Sequence, residues 1–92
     1  MSVEVRVYGA PGCHLCDQAK AVIQQERERV DLDLVEIDIS GDPELERRYR
    51  QHIPVVFVDG HRAFTYRVDP ALLRRRVEAA TIRRSAGAGS GC

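Results

Sequence analysis

The chain has 92 residues, 43% of them apolar, which is enough for one small domain with one core and no second unit. Its 14 basic residues cancel its 14 acidic ones, and this balance argues against nucleic acid or an anionic membrane as a partner. No apolar run approaches the roughly 20 residues of a membrane span, and Glu4 and Arg6 interrupt the early apolar stretch where a signal peptide would begin.

Taken from its start, the chain alternates Val3, Val5 and Val7 with Glu4 and Arg6, which is the period of a strand. Gly9 to Gly12 is a turn by composition. From Cys13 to about Arg29 the pattern is helical, with Cys16, Ala19, either Val22 or Ile23, and Glu26 spaced three or four apart. Asp31 to Ile39 is apolar on both parities, as in a strand covered on both faces, so a parallel β-α-β crossover is expected. Asp42-Pro43 is a helix start followed by acidic residues, and a short helix should run to about Arg50 with Leu45 and Tyr49 inward. Ile53 to Val58 is a third strand, Asp59-Gly60 a hairpin turn, and Arg62 to Tyr66 the returning strand. Asp69-Pro70 repeats the cap-then-proline signature for a last helix to about Arg83, with Leu72, Leu73, Val77, Ala80 and Ile82 inward. The domain therefore spans 1–84, and the Gly/Ala/Ser-rich stretch 85–92 reads as a flexible tail.

The chemistry centres on Gly12-Cys13-His14-Leu15-Cys16, where a strand feeds a turn and a helix leaves it. At a helix N-terminus the unpaired N–H groups and the dipole favour a thiolate, so Cys13 is the expected nucleophile. Cys16 lies one turn on, on the same face, and is expected to be more buried and to resolve a mixed disulfide formed at Cys13. His14 has two readings: protonated, it would steady the thiolate; otherwise it is an exposed residue on the rim. Arg67 likewise offers a guanidinium to a carboxylate-bearing ligand, or is an ordinary surface charge. Cys92 is the odd cysteine and no catalytic role is expected of it. A cytoplasmic location is expected, where such a pair is more often catalytic or metal-binding than a structural staple.

The order β-α-β-α-β-β-α with Cys13-x-x-Cys16 after the first strand, Ile53-Pro54 opening the third and the Asp59-Gly60 hairpin before a final helix resembles the glutaredoxin branch of the thioredoxin fold. The resemblance implies an α/β thioredoxin-like fold. Its four-stranded mixed sheet is flanked by three helices, with the first two strands parallel and the third antiparallel to the first. It also implies a cis bond at Ile53–Pro54, placed against the two cysteines. By the same resemblance the activity is a thiol–disulfide oxidoreductase, with Gly12, His14, Leu15, Ile53, Pro54 and Arg67 touching substrate. Its partners would be disulfide-bearing proteins or glutathione mixed disulfides, with glutathione or a reductase as electron donor, no bound cofactor, no metal and a monomeric state. The sequence departs from the family pattern in three places: Ala10 stands where many members have lysine, His14-Leu15 where Pro-Tyr is frequent, and Tyr66-Arg67-Val68-Asp69 where two glycines precede an aspartate. Two other classes compete: a peptide-docking adapter without turnover, and a metal or Fe–S module using Cys13 and Cys16.

Overall fold

The computed structural model describes residues 2–90. Seven elements follow one another: β1 (Val3–Gly9), α1 (His14–Glu26), β2 (Leu32–Asp38), α2 (Pro43–Tyr49), β3 (Val55–Val58), β4 (His61–Thr65) and α3 (Pro70–Ser90). The strands form one sheet in the order β2-β1-β3-β4. β1 and β2 are parallel, with Val3 beside Leu32 and Val7 beside Glu36. β3 runs antiparallel to β1, and β4 antiparallel to β3. This is the mixed sheet that the resemblance implies, and the Ile53–Pro54 bond is cis as expected.

Strand alternation divides the two faces of the sheet. Val3, Val5 and Val7 of β1 and Val56 and Val58 of β3 pack with Ala19 and Ile23 of α1 and Leu73, Val77 and Ala80 of α3 in one buried cluster. On the opposite face Tyr8 stacks on Tyr49 of α2 with ring centroids 4.7 Å apart, and Phe57 meets Tyr8 edge-on at 5.6 Å. The site lies at the end of β1, where these two layers leave the sheet.

Several element ends differ from the expectation, each for a local reason. α1 gives way to turns after Glu26, where the N–H groups of Glu28 and Arg29 reach back only three residues, to Gln25 O and Glu26 O, so the helical pattern does not persist to Arg29. β3 begins at Val55, because Pro54 has no N–H to give the ladder. The hairpin turn holds Asp59 at φ 53° and Gly60 at φ 81°, the left-handed pair an Asp-Gly turn supplies, and β4 starts at once with His61. α3 continues to Ser90, past the end near Arg83 and through part of the stretch read as a tail. No proline stops it, and Ala86 and Ala88 favour a helix that is already nucleated. Leu72 and Ile82 were expected inward but are 40% and 67% exposed, because Leu73, Val77 and Ala80 take the inner face of α3.

Candidate active site

Cys13 is the N-cap of α1, in extended conformation at φ −90° and ψ 109°. Its Sγ takes the place that a Ser or Asp oxygen fills in other caps, accepting from the Cys16 N–H at 3.2 Å. Its carbonyl accepts from Asp17 N at 3.1 Å and so starts the helix. Gly12, at φ 76°, makes the turn that delivers the chain to this position. Cys13 and Cys16 form a disulfide with Cα atoms 5.2 Å apart. Cys13 is half-buried, whereas Cys16 is 1% exposed beneath it.

Gly9 provides the room for that buried sulfur. A Cβ at Gly9 would stand 2.9 Å from Cys16 Sγ and 3.3 Å from its Cβ, so the last residue of β1 must lack a side chain for Cys16 to lie against it.

Three depressions meet around the pair. A cleft of about 320 Å³ joins Gly12 and Cys13 to Ile53, Ser40 and Arg50. A groove on the other flank of the α1 start carries Leu15, Gln18, Tyr66 and Arg67. A third, of about 220 Å³, reaches Cys16 from behind among Asp17, Lys20, Glu36 and Asp38, where Lys20 Nζ bridges Glu36 at 3.1 Å and Asp17 at 3.8 Å. Gly12, Cys13 and Ile53 thus share one wall system. Leu15 and Arg67 belong to the neighbouring groove, His14 is exposed, and Pro54 is buried with its carbonyl accepting from Tyr66 N at 2.9 Å. Arg67 is exposed beside Leu15 rather than in the Cys13 cleft. Among the described residues no three His, Cys, Asp or Glu side chains converge as a metal site requires. No described helix is long and apolar enough to cross a membrane. Cys92 lies outside the described residues.

Sequence reasoning missed Gly9, Lys20 and Arg50. Arg50 reaches the site only because α2 ends there, its guanidinium bonded to Glu46 Oε1 at 2.5 Å and its residue lining the Cys13 cleft. Its one sequence signal was its place in the last turn of a predicted helix that leads to Ile53-Pro54.

A parallel β-α-β unit whose strand-to-helix turn carries a half-buried N-cap cysteine disulfide-bonded to a buried cysteine, with a cis-proline loop on one flank, defines a thioredoxin-fold protein of the Cys-x-x-Cys type. Within that class, residues 4–78 match the model of the glutaredoxin-like domain (DUF836), and the chain belongs to that family. It is 27% identical over 74 residues to a glutaredoxin-like protein of Dictyostelium discoideum, described as a YDR286C homolog, covering 74% of this chain and 68% of that one. Among solved structures it resembles a structural-genomics target from X. campestris, at 29% identity and TM-score 0.69, covering 82% of this chain and 96% of the other. It also resembles protein Ne2328 from Nitrosomonas europaea, at 26% identity and TM-score 0.73, with coverages of 84% and 93%. A thioredoxin variant from Halobacterium salinarum, at 23% identity and TM-score 0.60 over 85% of this chain and 74% of its own, shares the fold.

Proposed function

We propose that the protein is a thiol–disulfide oxidoreductase that reduces protein or mixed disulfides through Cys13 and Cys16. The observation that carries this reading is the Cys13 sulfur at the N-cap of α1, accepting a backbone N–H at 3.2 Å and lining an open cleft. A thiolate in that place is held by oriented N–H donors and the helix dipole, which a neutral thiol uses poorly.

In the reduced protein the Cys13 thiolate attacks one sulfur of the substrate disulfide. The substrate S–S bond breaks, a Cys13–substrate disulfide forms, and the departing thiolate takes up a proton. Cys16, one turn along α1, gives up its proton and attacks Cys13 Sγ. The mixed bond breaks, the second substrate thiol leaves protonated, and the Cys13–Cys16 disulfide remains. Two electrons pass from the dithiol to the substrate, and an external dithiol, glutathione or a reductase returns them. Gly12, His14, Leu15 and Ile53, with Arg67 across the neighbouring groove, form the substrate surface, and Ile53, backed by the buried Pro54, can offer backbone groups to an extended segment.

The test is reduction of insulin by dithiothreitol with and without the protein. Wild type should accelerate it, Cys13→Ser should fall to the uncatalysed rate, and Cys16→Ser should accumulate a mixed disulfide visible by mass spectrometry. Wild type that gives no acceleration would replace this reading with a docking adapter, and full acceleration by Cys13→Ser would mean that Cys13 is not the nucleophile. A second assay, coupling NADPH oxidation to glutathione and glutathione reductase, distinguishes glutathione from a dedicated reductase as donor.

A further inference from the structure

The Ile53 wall of the Cys13 cleft is fastened by the aromatic residue that follows β4. Tyr66 follows β4 and adopts φ 71°. The Asp59 left-handed conformation belongs to its Asp-Gly turn, but a bulky aromatic in that region is unusual and persists where surrounding contacts over-determine it.

Three hydrogen bonds hold it, and all run to one segment. The Tyr66 hydroxyl donates to Gln51 O at 2.8 Å. Its N–H donates to Pro54 O at 2.9 Å. His52 Nδ1 lies 3.3 Å from the same hydroxyl. Because the single hydroxyl proton goes to Gln51, the imidazole nitrogen is the donor in that third bond. Tyr66 therefore ties down both ends of the segment 51–54. Its side chain is not buried to achieve this: the residue is 44% exposed. On its other side Tyr66 lines the groove with Leu15, Gln18 and Arg67. One residue thus joins the segment that walls the Cys13 cleft to the groove on the opposite flank of the α1 start.

We propose that Tyr66 is a positioning residue that holds the segment 51–54 at the spacing an extended, disulfide-bearing polypeptide needs to lie across Cys13; the inference rests on the oxidoreductase reading. A polypeptide must engage both flanks of Cys13, so a slack segment weakens its binding before it affects the sulfur chemistry.

The test uses the full-length protein and two variants. Tyr66→Phe keeps the ring and removes the hydroxyl. The amides of Gln51, His52 and Ile53 should exchange with solvent faster than in wild type. The KM for insulin, with dithiothreitol as reductant, should rise about fivefold, the factor carried by one net hydrogen bond, with kcat little changed. His52→Ala removes the donor to the hydroxyl together with the ring beside Tyr66, leaves the bonds to Gln51 and Pro54, and should give a smaller change in the same direction; it decides the matter if Tyr66→Phe does not fold. Unchanged exchange overturns the proposal. Faster exchange with an unmoved KM, or a loss confined to kcat, also overturns it and leaves Tyr66 a structural tie. Wild-type protein that cannot reduce insulin overturns the oxidoreductase reading instead, and the exchange measurement then decides alone whether Tyr66 anchors the segment.

Discussion

Gly9 shows how tightly the buried sulfur is fitted. With 2.9 Å between a built Cβ and Cys16 Sγ, Gly9→Ala forces Cys16 or the end of β1 to move. Overpacking of this kind destabilises folds by about 1–3 kcal/mol. Because the atom displaced is the Cys16 sulfur, to which the proposed function gives the resolving step, that function predicts that the variant also lengthens the life of the Cys13 mixed disulfide relative to its rate of formation. Quenched-flow mass spectrometry during insulin reduction measures that ratio; an unchanged ratio would mean that the strand, and not Cys16, gives way. At this scale the sequence is legible where the chemistry is local. Cys13 and Cys16 share a helix face by spacing alone, and Gly12 sits in a turn that its composition announces. Gly9 also read as a turn residue, but its need for a bare Cα comes from Cys16 seven positions away. Arg50 and Tyr66 likewise owe their places to where a helix and a strand end, which spacing does not encode.

Among the elements, α2 is short and depends on its cap. Asp42 Oδ1 accepts from Glu44 N at 3.0 Å and Leu45 N at 3.2 Å, and Pro43 occupies the first turn. Asp42→Ala should cost about 1 kcal/mol in urea denaturation, the usual value of such a cap. The loss should reach the site, since Arg50, the C-cap of α2, lines the Cys13 cleft and Tyr49 packs on Tyr8. Faster amide exchange through residues 44–50 would show it, and exchange confined to the first turn would contradict it. The Asp42-Pro43 start was readable because capping residues act on the next three positions only. The far end of α3 was not: Gly87 and Gly89 lower helix propensity, yet the backbone remains helical to Ser90. Leu72 misled for a related reason, since two adjacent leucines cannot both face the core of one helix, and Leu73 has the inner place.

At the scale of the whole molecule, an ionic contact helps close α1 onto α3. Glu26, 5% exposed, ends α1, and its Oε1 accepts from Arg74 Nε of α3 at 2.6 Å across 48 residues of chain. The helical period did place Glu26 inward with Cys16 and Ala19; its partner was invisible, because Arg74 is one of thirteen arginines in the chain. The Arg74 hydrogen bond lowers the Glu26 pKa from its ordinary value, against desolvation, which raises it. A carboxylate with a depressed folded pKa contributes stability that is fully present above the unfolded value near 4.5. That contribution is lost as pH falls through the lower folded value. Arg74→Gln removes the hydrogen bond and charge that lower the pKa most and leaves desolvation, which disfavours the charged form of Glu26, opposed only by the smaller attraction of Arg29. The variant should therefore be clearly less stable than wild type near pH 7, and the gap should narrow as pH falls below 4.5 and Glu26 is protonated in both proteins. Urea midpoints measured from pH 7 to pH 3 check this. A gap that stays constant with pH would show that Arg74 acts through the packing of its aliphatic stem, with no part played by the Glu26 charge.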